Sequence, residues 1–573
     1  MGIVDIIIFF AFIACVMFVS LWKSGGEAGK SADDYFLAGR GLSWWLIGFS
    51  LIAANISAEQ FVGMSGQGAG AEGLSCASWE WIAAIALVVV AFALLPYFLK
   101  SGITTIPEFL EIRYNHWARA FMTISMMGIL IVASLIGVTY AGSLVMQQLF
   151  QHLGWNLPFW SCCLIMGSLA GIYVMVGGLK ACAWADLLQG SALIVGGAII
   201  AYFAMKALGS TAPEGLTGAV EEAKAVSSTA IERFRELNEA KLHMGRASND
   251  AAMPWTILII GIWIPNFYYW GLNQYITQRI LGSGSLAEGQ KGIVLAAFLK
   301  LIIPFVIVIP GIIAFNLFAK DLDKPDQALG LLITRLVPQG FGLMGFVLAA
   351  LLGAIVSSLA AVLNATSTLF TMDIYDRYIR PENSFALGRL KVDIKSPASQ
   401  RELVLAGRIT IAVLLIIGVV VASVLKADSI FAYIQKMQLY VSPGIVAVFI
   451  FGLINRKGAR WIGALALVLS PVIYFLLSTY GWSLLPGAAS FVPEVMGCVV
   501  ENSEPLPMHY LWAASYNLII TLIIMFVLGA IFKMPEEVTF ESSSKLDMKP
   551  SKAALVCGII VVILTVALYV YFW

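Results

Sequence analysis

Long apolar stretches separated by short polar connections recur along this chain from one end to the other, a pattern that predicts a bundle of membrane-spanning helices. A helix needs roughly 20 residues to cross a hydrocarbon core. Fourteen stretches meet that length, at 3–23, 42–66, 75–99, 118–150, 158–177, 182–208, 255–275, 290–319, 341–372, 403–426, 430–454, 459–481, 508–532 and 553–573. The first has no basic region before it and no small-residue cleavage site after it, so it reads as a retained helix rather than a signal peptide.

Two stretches are interrupted by polar residues. The second reads WWLIGFSLIAANISAEQFVGMSG, with Asn55, Ser57, Glu59 and Gln60 together in its middle; five spans later, the seventh reads WTILIIGIWIPNFYYWGLNQY, with Pro265 followed by Asn266. Lipid offers no hydrogen bonds, so such residues must line a cavity or pack on protein. Paired interruptions five spans apart point to an inverted-repeat transporter whose site lies where half-helices meet. Packing kinks give the same look.

Composition agrees with the pattern: 60% of the 573 residues are apolar and only 12% are charged, which excludes a soluble multidomain protein. A net charge of +1 gives no ground for a nucleic-acid partner. Connections after odd-numbered spans and their edges carry 22 Lys and Arg, those after even-numbered spans carry 10, and Lys300, Arg408 and Lys436 lie inside spans. By the positive-inside rule both termini face outward, the connection Asp373–Arg401 is cytoplasmic and the loop 209–254 is external. Seven scattered cysteines suggest no disulfide framework, and four separated histidines no metal site.

Candidate chemistry sits in the spans. Asn266, Tyr269 and Asn273 share one face if the helix is continuous there, although the neighbouring Tyr268 and Trp270 also suit an interfacial aromatic belt. Lys300 lies about ten residues into its span, roughly 15 Å deep at 1.5 Å per residue, and needs a partner or a polar cavity. Glu80 is the obvious carboxylate, unless it sits at the interface. Ser357 and Ser358, in a small-residue run, either bond back to carbonyls one turn earlier or complete a hard-cation site begun by carbonyls freed near Asn55. Asp186 stands in the first turn of its predicted span, where a carboxylate ordinarily complements the helix dipole. No nucleophilic triad, phosphate loop or nucleotide motif is present, so an enzyme is not expected.

The segments DDYFLAGRGLSWWLIGFSLIAANISAEQFVGMSG, TTIPEFLE, VGGLKACAWADLLQ, NFYYWGLNQYITQR, KGIVLAAFLKLIIPF, AIVSSLAAVLNATSTLFTMDIY and FAYIQKMQLYVSPGI, in that order, closely resemble the sodium/solute symporter family, in particular its sodium/glucose cotransporter branch. The resemblance covers nearly the whole chain. It implies a single all-α transporter domain over 1–573, with a five-plus-five inverted-repeat core at about 42–208 and 255–454, two discontinuous helices, and accessory helices at 3–23, 459–481, 508–532 and 553–573. It further implies sugar contacts from Asn55, Gln60, Glu80, Asn266, Lys300 and Gln435, with Tyr269 stacking under the sugar as an inner gate and Met64, Trp79 and Phe431 at the outer gate. Sodium, the coupling ion, would be held by the carbonyls of Ala53, Ile56 and Ala354 and the hydroxyls of Ser357 and Ser358, with Asp186 on its inward route. Members that use two sodium ions carry a hydroxyl two positions after the Ser pair; this chain has Ala360, which implies one sodium per sugar. Trp79 stands where galactose-carrying members have Tyr, and Ala83 where they have Ser. The expected function is sodium-coupled hexose symport in a bacterial inner membrane, with a sodium-dependent sugar sensor or a symporter of inositol or another small solute as alternatives.

Overall fold

A computed structural model describes residues 2–25, 31–56, 58–152, 155–211, 216–217, 229–250, 252–379, 399–424, 430–484, 487, 492–501, 504–540 and 546–573. Helix α1 (Ile3–Ser24) runs along the outside of the bundle, and a short α2 (Ala32–Leu37), capped by Ser31, leads into the core. The predicted second span is two helices, α3 (Trp44–Asn55) and α4 (Ala58–Ala69), bent by 61° across a break that begins at Ile56. Helix α5 (Ser78–Val89) continues through a π-helical turn at Val90–Leu94 into α6 (Leu95–Ser101), which ends at a left-handed Gly102. Next come α7 (Ile106–Arg113), with Pro107 in its first turn, then α8 (His116–Ile129), capped by Asn115, and α9 (Ile136–His152).

The predicted spans 158–177 and 182–208 form one helical run, α10 (Phe159–Ser210), broken at Gly178, whose φ of 55° and ψ of −149° are not helical. Glycine is required there twice over, because a Cβ would also collide with the Tyr35 carbonyl. Helix α11 (Ala230–Asn238) occupies part of the loop 209–254. The predicted seventh span is the most fragmented: α12 (Trp263–Phe267), a π-helical turn at Tyr268–Leu272, and α13 (Gln274–Leu281), separated by an extended Asn273. Asn273 therefore does not continue the face of Asn266 and Tyr269. Its side chain instead accepts the Tyr275 N–H at 3.1 Å and caps α13.

Helix α14 (Leu286–Phe318) is continuous despite Pro304 and Pro310, followed by α15 (Ala328–Leu336) and α16 (Leu343–Leu369), which is buried along almost all of its length. The chain closes with α17 (Gln400–Val424), α18 (Ile430–Leu439), α19 (Ser442–Ile454), α20 (Trp461–Tyr480), α21 (Tyr510–Ile531) and α22 (Lys552–Phe572), and a two-residue antiparallel ribbon pairs Val500–Glu501 with Glu504–Pro505. Among the described residues eleven helices are long and apolar enough to cross a membrane, twelve with the bent α3–α4 pair. The fourteen expected spans exceed that number because α10 holds two of them and the pieces of the seventh are each too short.

Small residues set the packing. A Cβ at Gly48 would collide with Leu295 and one at Gly292 with Ile47, so α3 lies directly on α14. Gly68 faces the Val308 carbonyl and Gly311 the Ser65 carbonyl, so α4 lies equally close to α14 further along. At the end of α4 remote from the break, Lys241 from the loop 209–254 donates to the carbonyls of Ala69 (2.7 Å) and Gly70 (2.9 Å). Buried Arg113 likewise donates to the carbonyls of Gly452 and Asn455 at the end of α19.

Candidate functional site

The break after Asn55 matters because the last carbonyls of a helix lack intrahelical donors. The Ala54 carbonyl accepts from the hydroxyls of Tyr275 and, at 3.2 Å, Ser358. These bonds join α3 to α13 and α16. Ser357, one residue earlier on α16, donates its hydroxyl to the Asp186 carboxylate. Neither serine bonds back to its own helix, as close packing alone would have it; both hydroxyls cross to other elements. Ala53, Ile56 and Ala354, the expected carbonyl ligands, are buried beside them.

Lys300, midway along α14, pairs with Glu80 of α5 and donates to the Asn55 side-chain oxygen. Glu80 also accepts from the Gln60 amide, so four of the expected substrate residues form one network drawn from α3, α4, α5 and α14, buried except for the half-buried Asn55. Glu80 is thus interior rather than interfacial. The Lys300 ammonium lies 4.9 Å from the centre of the Trp270 ring, a cation–π contact. Trp270 and Tyr268 are buried in the core, not set at a membrane interface, and Trp270 stands edge-on to Tyr269 at 5.2 Å. Sequence reasoning missed Trp270; its signal was the aromatic run on an interrupted span.

The other candidates are less closely joined. Asn266 is buried on α12 and donates to the Ile262 carbonyl at 2.8 Å. Met64 and Trp79 are buried on α4 and α5, and Gln435 is half-buried on α18, which packs against α4. The side chain of Phe431, the break residue Ser57, and residues 380–398 of the connection Asp373–Arg401 lie outside the described residues, as do 212–215, 218–228 and 251 of the loop 209–254.

Asp186 differs from its expected setting. The helix resumes at Leu179, so Asp186 is about two turns inside it and fully buried. Its partner is Arg279 of α13, whose Nη2 donates at 2.9 Å, and Ser50 of α3 donates its hydroxyl to the same carboxylate. The chain segment carrying Arg279 was assigned to a connection, which hid the pair.

The arrangement supplies two kinds of chemistry. The Lys300 network offers an ammonium, a carboxylate and two amides, hence both donors and acceptors, which suits a neutral polar solute. The end of α3 with Ser357 and Ser358 offers uncharged oxygens, which suit a monovalent hard cation.

The profile of the Sodium:solute symporter family matches residues 35–469. The chain is 39% identical over 473 residues to the "Sodium/glucose cotransporter" of Vibrio parahaemolyticus, covering 79% of this chain and 81% of that one. It is 28% identical over 583 residues to the "Sodium/myo-inositol cotransporter" of Canis lupus familiaris, covering 95% and 76%. Among solved structures, a substrate-bound, outward-open Na+-coupled sialic acid symporter shares the fold, with a TM-score of 0.71 at 19% identity over 93% of this chain and 100% of that one. The broken helices, the long ordered match and the shared fold agree: this chain belongs to the sodium:solute symporter family, integral membrane proteins that move a small solute together with sodium and are not enzymes.

Proposed function

We propose that this protein is a sodium-coupled hexose symporter that works by alternating access and moves one sodium ion per sugar. The observation that carries the reading is the network of Lys300, Glu80, Asn55 and Gln60, in which an ammonium, a carboxylate and two amides bond to one another while the Gln60 Oε1 keeps an unused acceptor. Sugar hydroxyls can take over both the donor and the acceptor roles of that network. A solute lacking one hydroxyl leaves a buried group unpaired, at a cost of about 1–3 kcal/mol, and this is how the pocket selects. Tyr269 offers a ring face for the sugar, Asn266 and Gln435 add amides, and Met64, Trp79 and Phe431 close the outer side. Sodium is held by the carbonyls of Ala53, Ile56 and Ala354 with the hydroxyls of Ser357 and Ser358, and Asp186 lies on its way inward. Both termini face outward in a bacterial inner membrane.

The count of one ion draws support from Ala360, whose methyl offers no oxygen. At about 100 mV and a tenfold sodium gradient, one ion supports roughly 500-fold accumulation. The similarity to a sodium/myo-inositol cotransporter favours inositol as a second solute, since a ring of hydroxyls meets the same donors and acceptors. In proteoliposomes, labelled glucose or galactose accumulates only with inward sodium, and unlabelled inositol competes if it shares the site. Equal uptake in potassium-only buffer sinks the reading.

A further inference from the structure

The Glu80–Lys300 pair has a backing on its far side. Trp81 follows Glu80 on α5, and successive helical residues point about 100° apart, so its ring leaves the helix on a different side from the carboxylate. The ring is wholly buried, and its Nε1 donates to the Leu301 carbonyl of α14 at 3.4 Å. Leu301 is the residue after Lys300. Pro304, about one turn on, has no N–H to give to the Lys300 carbonyl, so α14 lacks an internal bond at the residue that carries the ammonium. Trp81 therefore ties α5 to α14 at the level where each presents its charged side chain.

The last helix closes the other sides of this ring. Phe305 of α14 lies 6.3 Å away between ring centres, while Tyr569 stands edge-on at 5.8 Å and Phe572 stacks at 6.0 Å, both from α22. Helix α22 gets there by lying in the groove between α5 and α14, where a Cβ at Gly558 would come within 3.1 Å of Val88 and 3.7 Å of Val294. We propose that Trp81 is a positioning residue for the solute site, and that α22, through Tyr569 and Phe572, braces it so that Glu80 and Lys300 keep the separation a hexose needs; this rests on the sugar-symport reading above. Hydrogen bonds weaken steeply as their distance and angle drift, so a pair left loose by a fraction of an ångström binds sugar less well. The loss falls on the sugar rather than on sodium, because none of the three rings packed on Trp81 comes from α3 or α16.

The test is equilibrium binding of labelled glucose and galactose to the purified protein in sodium, with sodium dependence and uptake rate measured on the same variants. Trp81→Phe keeps a ring in place but loses the N–H, and Phe572→Leu loosens the brace from α22. Each weakens sugar binding by about three- to tenfold, while half-saturating sodium and the maximal uptake rate per binding-competent molecule change by less than about twofold. On a Trp81→Ala background, Phe572→Leu adds nothing further, because the brace has no ring left to hold. A residue that only fills the core changes the amount of folded protein and leaves sugar affinity alone. Unchanged sugar affinity in both single variants thus overturns the proposal, as does an equal loss of sodium affinity, or full additivity of Phe572→Leu on Trp81→Ala. Should Trp81→Ala fail to fold, Tyr569→Leu replaces it and weakens sugar binding by about threefold or more; unchanged affinity there overturns the role of α22. Absence of sodium-dependent sugar binding by the unaltered protein is a different result, which defeats the symport reading itself.

Discussion

The Lys300 ammonium and the Glu80 carboxylate meet inside the helix bundle with their side chains 1% and 2% exposed. Removing one member of such a pair leaves the other charge buried and alone, a loss of about 3–5 kcal/mol. Lys300→Ala and Glu80→Ala are therefore expected to unfold at lower temperature and to take up no sugar. The neutral pair Glu80→Gln/Lys300→Met regains much of the thermal stability but not the uptake. Thermal unfolding of purified protein and proteoliposome uptake separate the two effects, and wild-type uptake by either single variant would remove the pair from the binding site.

Ser357 and Ser358 serve different partners despite being adjacent, Asp186 for one and the Ala54 carbonyl for the other. Each alanine replacement deletes one oxygen from the proposed sodium shell, worth about 1–3 kcal/mol. Apparent sodium affinity should fall by roughly 5- to 150-fold in each variant at saturating sugar. Unchanged sodium dependence in both would place the ion elsewhere.

Gly311 and Gly330 make a matched pair of tests. A methyl at Gly311 would collide with the Ser65 carbonyl across the α4–α14 seam, whereas nothing lies within 4 Å of one at Gly330 on α15. Gly311→Ala should lose at least about 1–3 kcal/mol through overpacking. Gly330→Ala should be neutral or stabilising, by up to about 1 kcal/mol, because alanine favours the helix. The comparison is read from the two unfolding temperatures.

Near the end of α4 remote from the break, burial, reinforced by the charge of Asp250, pushes the Glu72 carboxyl up to about 7, and burial with neighbouring Arg246 brings Lys241 down to about 8. The folded state thus holds the Glu72 proton more tightly than the unfolded chain. Relative to Glu72→Gln, the wild type loses stability as pH rises from about 4.5 to 7, and the loss then stays constant. Lys241 has the opposite sign. Relative to Lys241→Met, the wild type gains stability as pH rises from about 8 to 10.5. Difference curves of unfolding temperature against pH check both, and flat curves would mean that neither group is perturbed.

Most of the architecture was legible because a bilayer demands long apolar runs, and those runs mark α1, α14 and α16 without reference to anything distant. Polar interruptions exposed the break at Ile56 and, less well, the one at Asn273, where capping of α13 replaced the continuous face. Lys300 and Glu80 could be paired on paper because each was conspicuous within a span. The Asp186–Arg279 pair was not, since both residues fell close to assumed span ends: α10 resumes at Leu179 rather than at 182, and α13 extends to Leu281 rather than stopping at 275. Charges at helix ends are ordinary, so the pattern gave no reason to look for a buried partner. Only the crossing of α3, α10, α13 and α16 brings them together.

The glycine seams of α14 have a mechanical meaning for the broken helix. Gly292 lies under Ile47 on one side of the fracture and Gly311 under Ser65 on the other, so one continuous helix splints both fragments. Backbones in such contact have no side-chain layer to shear, and the bend at Ile56 is a fixed corner rather than a hinge. The oxygens at that corner are thereby held at a set distance from Lys300, which sits on the same splint between the two seams.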